Sequence, residues 1–296
     1  MVGASRFELE TPCTPCRCAS RLRYAPTRME RIPHAVRALQ QPPIIPSCYN
    51  SDVKLRELHS WNVSTGEAVQ LQQRLAPLVS HTSTLRTEVR YVAGLDISAP
   101  RRSGLARGAV VVLRYPSLQV EEVRTAEARP LVPYVPGLLS FREVPVLVGA
   151  LELLSVTPDL VLVDGQGIAH PRRFGLACHL GLMLDLPTIG CAKSILVGSH
   201  AGPLSREAGS RVELVDNGEV VGVALRTRTD VSPVYVSVGH RMDLQTAVEW
   251  VLACCRGLRI PEPTRLAHQA AGGHLAPRGP TTSLGGPAAP EQGRMF

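Results

Sequence analysis

With 296 residues, 44% of them hydrophobic and 19% charged, the chain has the composition of a soluble globular protein and length enough for one large α/β domain or two small ones. A net charge of +7 and a pI near 9.2 favour a polyanionic partner, nucleic acid first among them. No apolar run approaches the roughly 18–20 residues that span a bilayer, and the first 30 residues carry Glu8 and Glu10 with no apolar h-region, so neither membrane insertion nor secretion is expected. The eight cysteines show no disulfide-scaffold spacing, which fits a reducing cytoplasm. Nearly all the positive charge is arginine, because Lys54 and Lys193 are the only lysines.

Residues 1–53 are rich in Pro and Arg, lack a sustained period, and read as a disordered extension or as the product of a start codon placed too early. Cys13, Cys16 and Cys18 have no nearby fourth ligand, with Cys48 distant, so zinc is not expected there. The folded domain is expected over residues 54–269. Ser64 with Glu67 forms a capping box before Ala68, Leu71, Leu75 and Leu78, which marks an amphipathic helix. A mostly apolar strand from Val89 to Ser98 carries Asp96 near its end. Ala109 to Tyr115 and Leu118 to Arg124 flank the turn at Pro116-Ser117 and read as a hairpin.

Pro133-Tyr134-Val135-Pro136-Gly137 is a stiff loop that presents an aromatic ring, one way to wedge or stack against a base. Ser140 is expected to open a helix through Leu147, Leu151 and Leu154, with Glu143 in its first turn. Leu160 to Val163 has the composition of a strand buried on both faces, and it runs into Asp164, Gly165 and Gly167. Most Asp-Gly pairs only cap a turn, yet a carboxylate at the carboxyl end of a buried strand also stands where α/β sheets place their ligands. A helix is expected from Phe174 to Leu184, with His179 as a packing residue, and a strand from Leu186 to Lys193. Val212 to Val215 and Val220 to Arg226 form a hairpin about Asp216-Asn217-Gly218. A strand from Pro233 to His240 follows, then a helix capped by Asp243, and residues 270–296 read as a disordered Gly/Pro/Ala-rich tail.

Asp96, Asp164, Lys193 and His240 therefore sit at strand ends or adjoining turns, with Glu143 at a helix start and His170 just after the central turn. Each has an ordinary structural explanation, but several such groups in one domain make a candidate site. Carboxylates without a Cys/His set suit Mg²⁺ or Mn²⁺. The residues alone imply a metal-dependent phosphodiesterase acting on nucleic acid, with the lysine stabilising charge at the scissile phosphate.

The segments VAGLDIS, PYVPGLLSFRE, LVLVDGQGIAHPRRFGLACHLG, IGCAKS, VSVGHRMDL and RIPEPTRLAHQ resemble those of endonuclease V, the deoxyinosine-directed repair nuclease, in family order from about Leu55 to Gln269. The resemblance implies an α/β, ribonuclease H-like fold with a five-stranded mixed sheet, its first three strands antiparallel and helices on both faces. It implies Asp96 and Asp164 as Mg²⁺ ligands, with Mn²⁺ able to substitute, and Glu143 completing the acidic site. By the same likeness Lys193 lies near the scissile phosphate and His240 near the metal or its water. Pro133, Tyr134, Val135 and Pro136 match a strand-separating wedge, and Leu139, Gly167, Ile168, His170 and Leu196 a pocket for the flipped base. The implied reaction cuts the second phosphodiester bond 3′ to the lesion, leaving 3′-hydroxyl and 5′-phosphate ends, by a monomer acting on DNA. Cleavage of inosine-containing RNA and a non-cleaving lesion binder are the alternatives.

Overall fold

The computed structural model describes residues 53–99, 104–133 and 135–279. Residues 1–52, which hold the Cys13, Cys16, Cys18 and Cys48 question, lie outside the described residues, as do Tyr134 and residues 280–296. Helix α1 spans Thr65–Leu75, and the capping box forms as expected: Ser64 Oγ accepts from the Glu67 N–H, while Glu67 Oε2 accepts from the Ser64 N–H at 2.7 Å.

The sheet follows from the apolar runs. Strand β1 is Tyr91–Ser98, β2 Ala106–Arg114 and β3 Gln119–Ala128, paired antiparallel in sequence. Strand β4, Leu160–Val163, is buried throughout and lies parallel to β1, and β5, Thr188–Ala192, lies parallel to β4. Helices α2 (Leu139–Leu151) and α3 (Leu176–Leu184) precede β4 and β5. The first five strands thus stand in the order β3-β2-β1-β4-β5.

The sheet does not stop at five strands. Among the described residues it has nine, because β9 (Val234–His240) returns antiparallel to β5 and carries β8 (Glu219–Leu225), β7 (Arg211–Asp216) and the two-residue β6 (Ser199–His200) outward from that edge. Val234, Val236 and Val238 of β9 are buried, so β5 has its free edge covered rather than exposed to pairing.

Alternation sorts the core into two layers. Ala93, Leu95, Val110, Val112, Val161 and Val163 point to the face covered by α2 and α3. Val92, Ala109, Val111, Leu160, Leu162 and Ile189 point to the opposite face, covered by α4 (Leu244–Ala253) and α5 (Glu262–Ala271). The ordered body passes the boundary expected at residue 269: α5 continues to Ala271, and Arg278 exchanges backbone hydrogen bonds with Val123 of β3 at 2.9 and 3.0 Å. No helix among the described residues is long and apolar enough to cross a membrane.

Candidate active site

Register places the two aspartates together. Leu95 of β1 pairs with Val163 of β4, so the next residues, Asp96 and Asp164, are neighbours at the same sheet end, and the Asp164 N–H donates to the Leu95 carbonyl at 3.0 Å. Val163 pairs with Gly190 of β5, whose chain leads on to Lys193, and the Lys193 ammonium forms an ion pair with Asp164. By alternation, Asp96 shares its face with Val92 and Gly94, the face under α5.

Helix α5 supplies a residue that the sequence reading missed. An added Cβ on Gly94 would lie 1.9 Å from the Pro263 carbonyl oxygen, so glycine lets the start of α5 press directly onto β1. Two residues along the strand advance about 6.6 Å and four along a helix about 6 Å. From the contact of Gly94 with Pro263 and Thr264, the strand therefore reaches Asp96 as the helix reaches His268. His268 Nδ1 stands 2.6 Å from Asp96 Oδ2. The signal is present in the helical spacing of Thr264, Ala267 and Ala271, but prolines at 261 and 263 and small residues elsewhere make it faint.

Ligand atoms of Asp96, Asp164 and His268 lie within 4.8 Å of one another, close enough for one cation to bridge. Glu143 reaches the same end from α2, which begins at Leu139 rather than at Ser140, so the glutamate stands one turn in. Burial, then the charges of Asp96 and Asp164, push the Glu143 carboxyl up to about 8 against the pull of Arg142. Burial and Asp164 likewise raise Asp96, although His268 and the Ile97 N–H, at 2.7 Å from Oδ1, favour its charged form. Asp96 and Glu143, both pushed up by burial and by neighbouring aspartate charge, make with Asp164 a donor set that a divalent cation would satisfy.

His240 does not join them. It pairs with Thr188 at the start of β5, at the opposite sheet end, with Nδ1 accepting from the Ser80 N–H at 3.2 Å and Nε2 3.7 Å from Asp185 Oδ1. Its placement corrects the expectation, because β9 is antiparallel to β5 and its carboxyl end points away from the aspartates.

The residues expected to receive a base are divided. Leu196 is 45% exposed and Leu139 half-buried. Gly167, Ile168 and His170 are buried, and their polar groups are already engaged. The Gly167 N–H donates to Ser237 Oγ at 2.8 Å, its carbonyl accepts from Gly175, and the Ile168 N–H donates to the Val238 carbonyl at 2.8 Å. The close approach that Gly167 permits is made by the protein itself, since an added Cβ would lie 1.9 Å from the Val238 carbonyl oxygen. Pro133 and Pro136 are exposed, while Val135 packs beside Leu138 against Ala68 and Leu71 of α1.

Residues 73–269 match the family model of endonuclease V. Endonuclease V of Gloeobacter violaceus is 55% identical over 217 residues, covering 71% of this chain and 86% of that protein. The crystal structure of endonuclease V from Streptomyces avermitilis is similar at a TM-score of 0.67 and 39% identity, over 74% of this chain and 96% of that one. Ciona intestinalis endonuclease V, in complex with a 24mer DNA containing an inosine followed by a ribo-adenosine, is similar at a TM-score of 0.61 and 28% identity, over 70% and 96% of the two chains. With an acidic cluster at the sheet end whose spacing could hold a cation, and these relatives over most of its length, the chain is a nuclease hydrolase and belongs to the endonuclease V family.

Proposed function

We propose that this protein is an Mg²⁺-dependent repair endonuclease that recognises deoxyinosine in DNA and cuts the second phosphodiester bond 3′ to it, leaving 3′-hydroxyl and 5′-phosphate ends. The observation that carries the reading is the convergence of Asp96, Glu143 and Asp164 at one end of the sheet, with Lys193 paired to Asp164. The order β3-β2-β1-β4-β5 supports a ribonuclease H-like core beneath it. Asp96 and Asp164 would hold the metal, with Glu143 and His268 completing the site in place of His240. Bound there, Mg²⁺ would supply positive charge and a water of lowered pKa. Lys193, whose side chain is 41% exposed, would leave Asp164 for a phosphate oxygen and stabilise charge developing on it. His268 would orient Asp96 by its hydrogen bond, as groups behind a metal ligand do.

Pro133, Tyr134, Val135 and Pro136 would separate the strands, with Leu139 and Leu196 touching the extruded base and Gly167, Ile168 and His170 forming the wall behind. The ribo-adenosine that follows the inosine in the Ciona complex favours a second substrate, inosine-containing RNA. An end-labelled deoxyinosine duplex and its inosine RNA counterpart, each incubated with Mg²⁺ or with EDTA, test both readings. Mg²⁺-dependent nicking immediately after the lesion's 3′ neighbour, at the second phosphodiester bond, supports the first. Cutting of RNA alone overturns it in favour of the second, and binding without any product overturns both.

A further inference from the structure

Gln72 lies on the apolar face of α1 among Ala68, Leu71 and Leu75, yet it is fully buried. Such a group costs stability unless its hydrogen bonds are made, and here all of them are. The Gln72 side-chain amide donates to the Gly137 carbonyl at 3.0 Å and to the Phe174 carbonyl at 3.2 Å. Its Oε1 accepts from Arg172 Nε at 2.5 Å. Arg172 Nη2 also donates to the Gly137 carbonyl, at 2.7 Å, and His170 Nε2 stands 3.0 Å from the same oxygen. One backbone oxygen thus gathers three side chains.

Gly137 closes the loop that begins at Pro133, and His170 and Arg172 belong to the segment that follows Asp164. Burial, with the nearby Arg172, pushes the His170 pKa down to about 4, so the ring is neutral at pH 7. Its Nδ1 accepts from the Arg172 N–H at 3.2 Å, which leaves the proton on Nε2 to donate to Gly137. Both ring nitrogens are occupied within the protein, so His170 holds the loop instead of reading a base edge.

We propose that Gln72 is a positioning residue for lesion recognition, which with Arg172 and His170 fixes the Gly137 carbonyl and so couples the prolyl loop to the segment that backs the base site. The proposal rests on the function given above and adds to it a residue outside every family-like motif. In its absence Arg172 Nε loses its acceptor and the Gly137 carbonyl one of its three donors, so the loop's angle to the base site is free to drift. A drift of about 1 Å in a positioning element can cost about 100-fold in rate. The loss falls only where strands must be parted.

The test compares deoxyinosine in a paired duplex with deoxyinosine in a single strand of the same sequence, cut by the full chain and by Gln72→Leu with Mg²⁺. The expected result is a loss of about tenfold or more in kcat/KM on the duplex, with the single strand cut at near the wild-type rate. An equal loss on both substrates overturns the proposal, because a merely structural glutamine would slow both alike; so does no loss on either. Gln72→Glu keeps the pairing with Arg172 while removing the donor to Gly137, and it carries the same duplex-selective expectation should Gln72→Leu fail to fold. A wild-type protein that cuts neither substrate overturns the function itself, and with it the role of Gln72.

Discussion

His268 Nδ1 stands 2.6 Å from Asp96 Oδ2, two groups 172 residues apart in sequence. His240 occupies the other end of the sheet against Asp185 and the Ser80 N–H. The two histidines therefore make opposite predictions. His268→Ala is expected to slow nicking by about 10–100-fold, the usual effect of losing a group that orients a metal ligand. His240→Ala should nick at near the wild-type rate but lose about 1–3 kcal/mol of stability, because the Ser80 N–H loses its acceptor. Single-turnover cleavage and thermal unfolding of both variants check this, and slow nicking by His240→Ala with a normal His268→Ala would reverse the assignment.

The charge of Asp164 opposes ionisation of Asp96, and both aspartates oppose that of Glu143. Asp96→Asn should abolish nicking, yet in EDTA it should melt about 1–4 °C higher than the wild type, since relief of like-charge repulsion gains up to about 1 kcal/mol. Added Mg²⁺ should raise the melting temperature of the wild type by mass action and leave that of the variant unmoved. A variant that melts lower in EDTA and still responds to Mg²⁺ would refute the metal assignment.

The aspartates were legible because β1 and β4 are runs of Val, Leu and Ala whose ends are easily read, and their parallel register then sets Asp96 beside Asp164. His268 was not, because the buried face of α5 consists of Glu262, Pro263, Thr264, Ala267, Ala270 and Ala271, whose small or polar side chains give little hydrophobic contrast. His240 misled for a topological reason. The rule that ligands gather at strand carboxyl ends holds for parallel strands, and nothing local in Val234 to His240 tells that β9 runs antiparallel to β5. The five-strand expectation failed likewise: the hairpin of β7 and β8 could be read locally, but not its attachment to the edge beyond β5.

Gly167 shows the limit of glycine spacing as a signal, which tells that something comes close without telling what. The Val238 carbonyl fills the place where a side chain would begin. Gly167→Ala should therefore cost about 3 kcal/mol or more, because backbone on both sides must shift. If the glycine instead made room for a base, the variant would unfold at the wild-type urea concentration and bind deoxyinosine DNA more weakly. Urea unfolding beside a gel-shift titration separates the two.

The neutral His170 ring gives the fold a dependence on pH whose sign can be stated in advance. Its pKa is about 4 in the folded protein and near 6.5 when unfolded, so between those values the unfolded chain binds a proton that the folded chain refuses. The stabilising contribution is complete above about pH 6.5 and is lost as pH falls toward 4, by about 3 kcal/mol at most. Burial lowers His59, His179 and His240 as well, so wild-type stability alone would not isolate His170. His170→Gln keeps a donor for Gly137 but cannot titrate, so the stability gap between wild type and variant should narrow by about 2–3 kcal/mol from pH 7 to pH 4.5. Urea unfolding at intervals across that range measures the gap. A constant gap would mean that the ring takes its proton while folded, and the neutral hydrogen bonds that join His170 to Gly137 and Arg172 would then not be those that hold the loop.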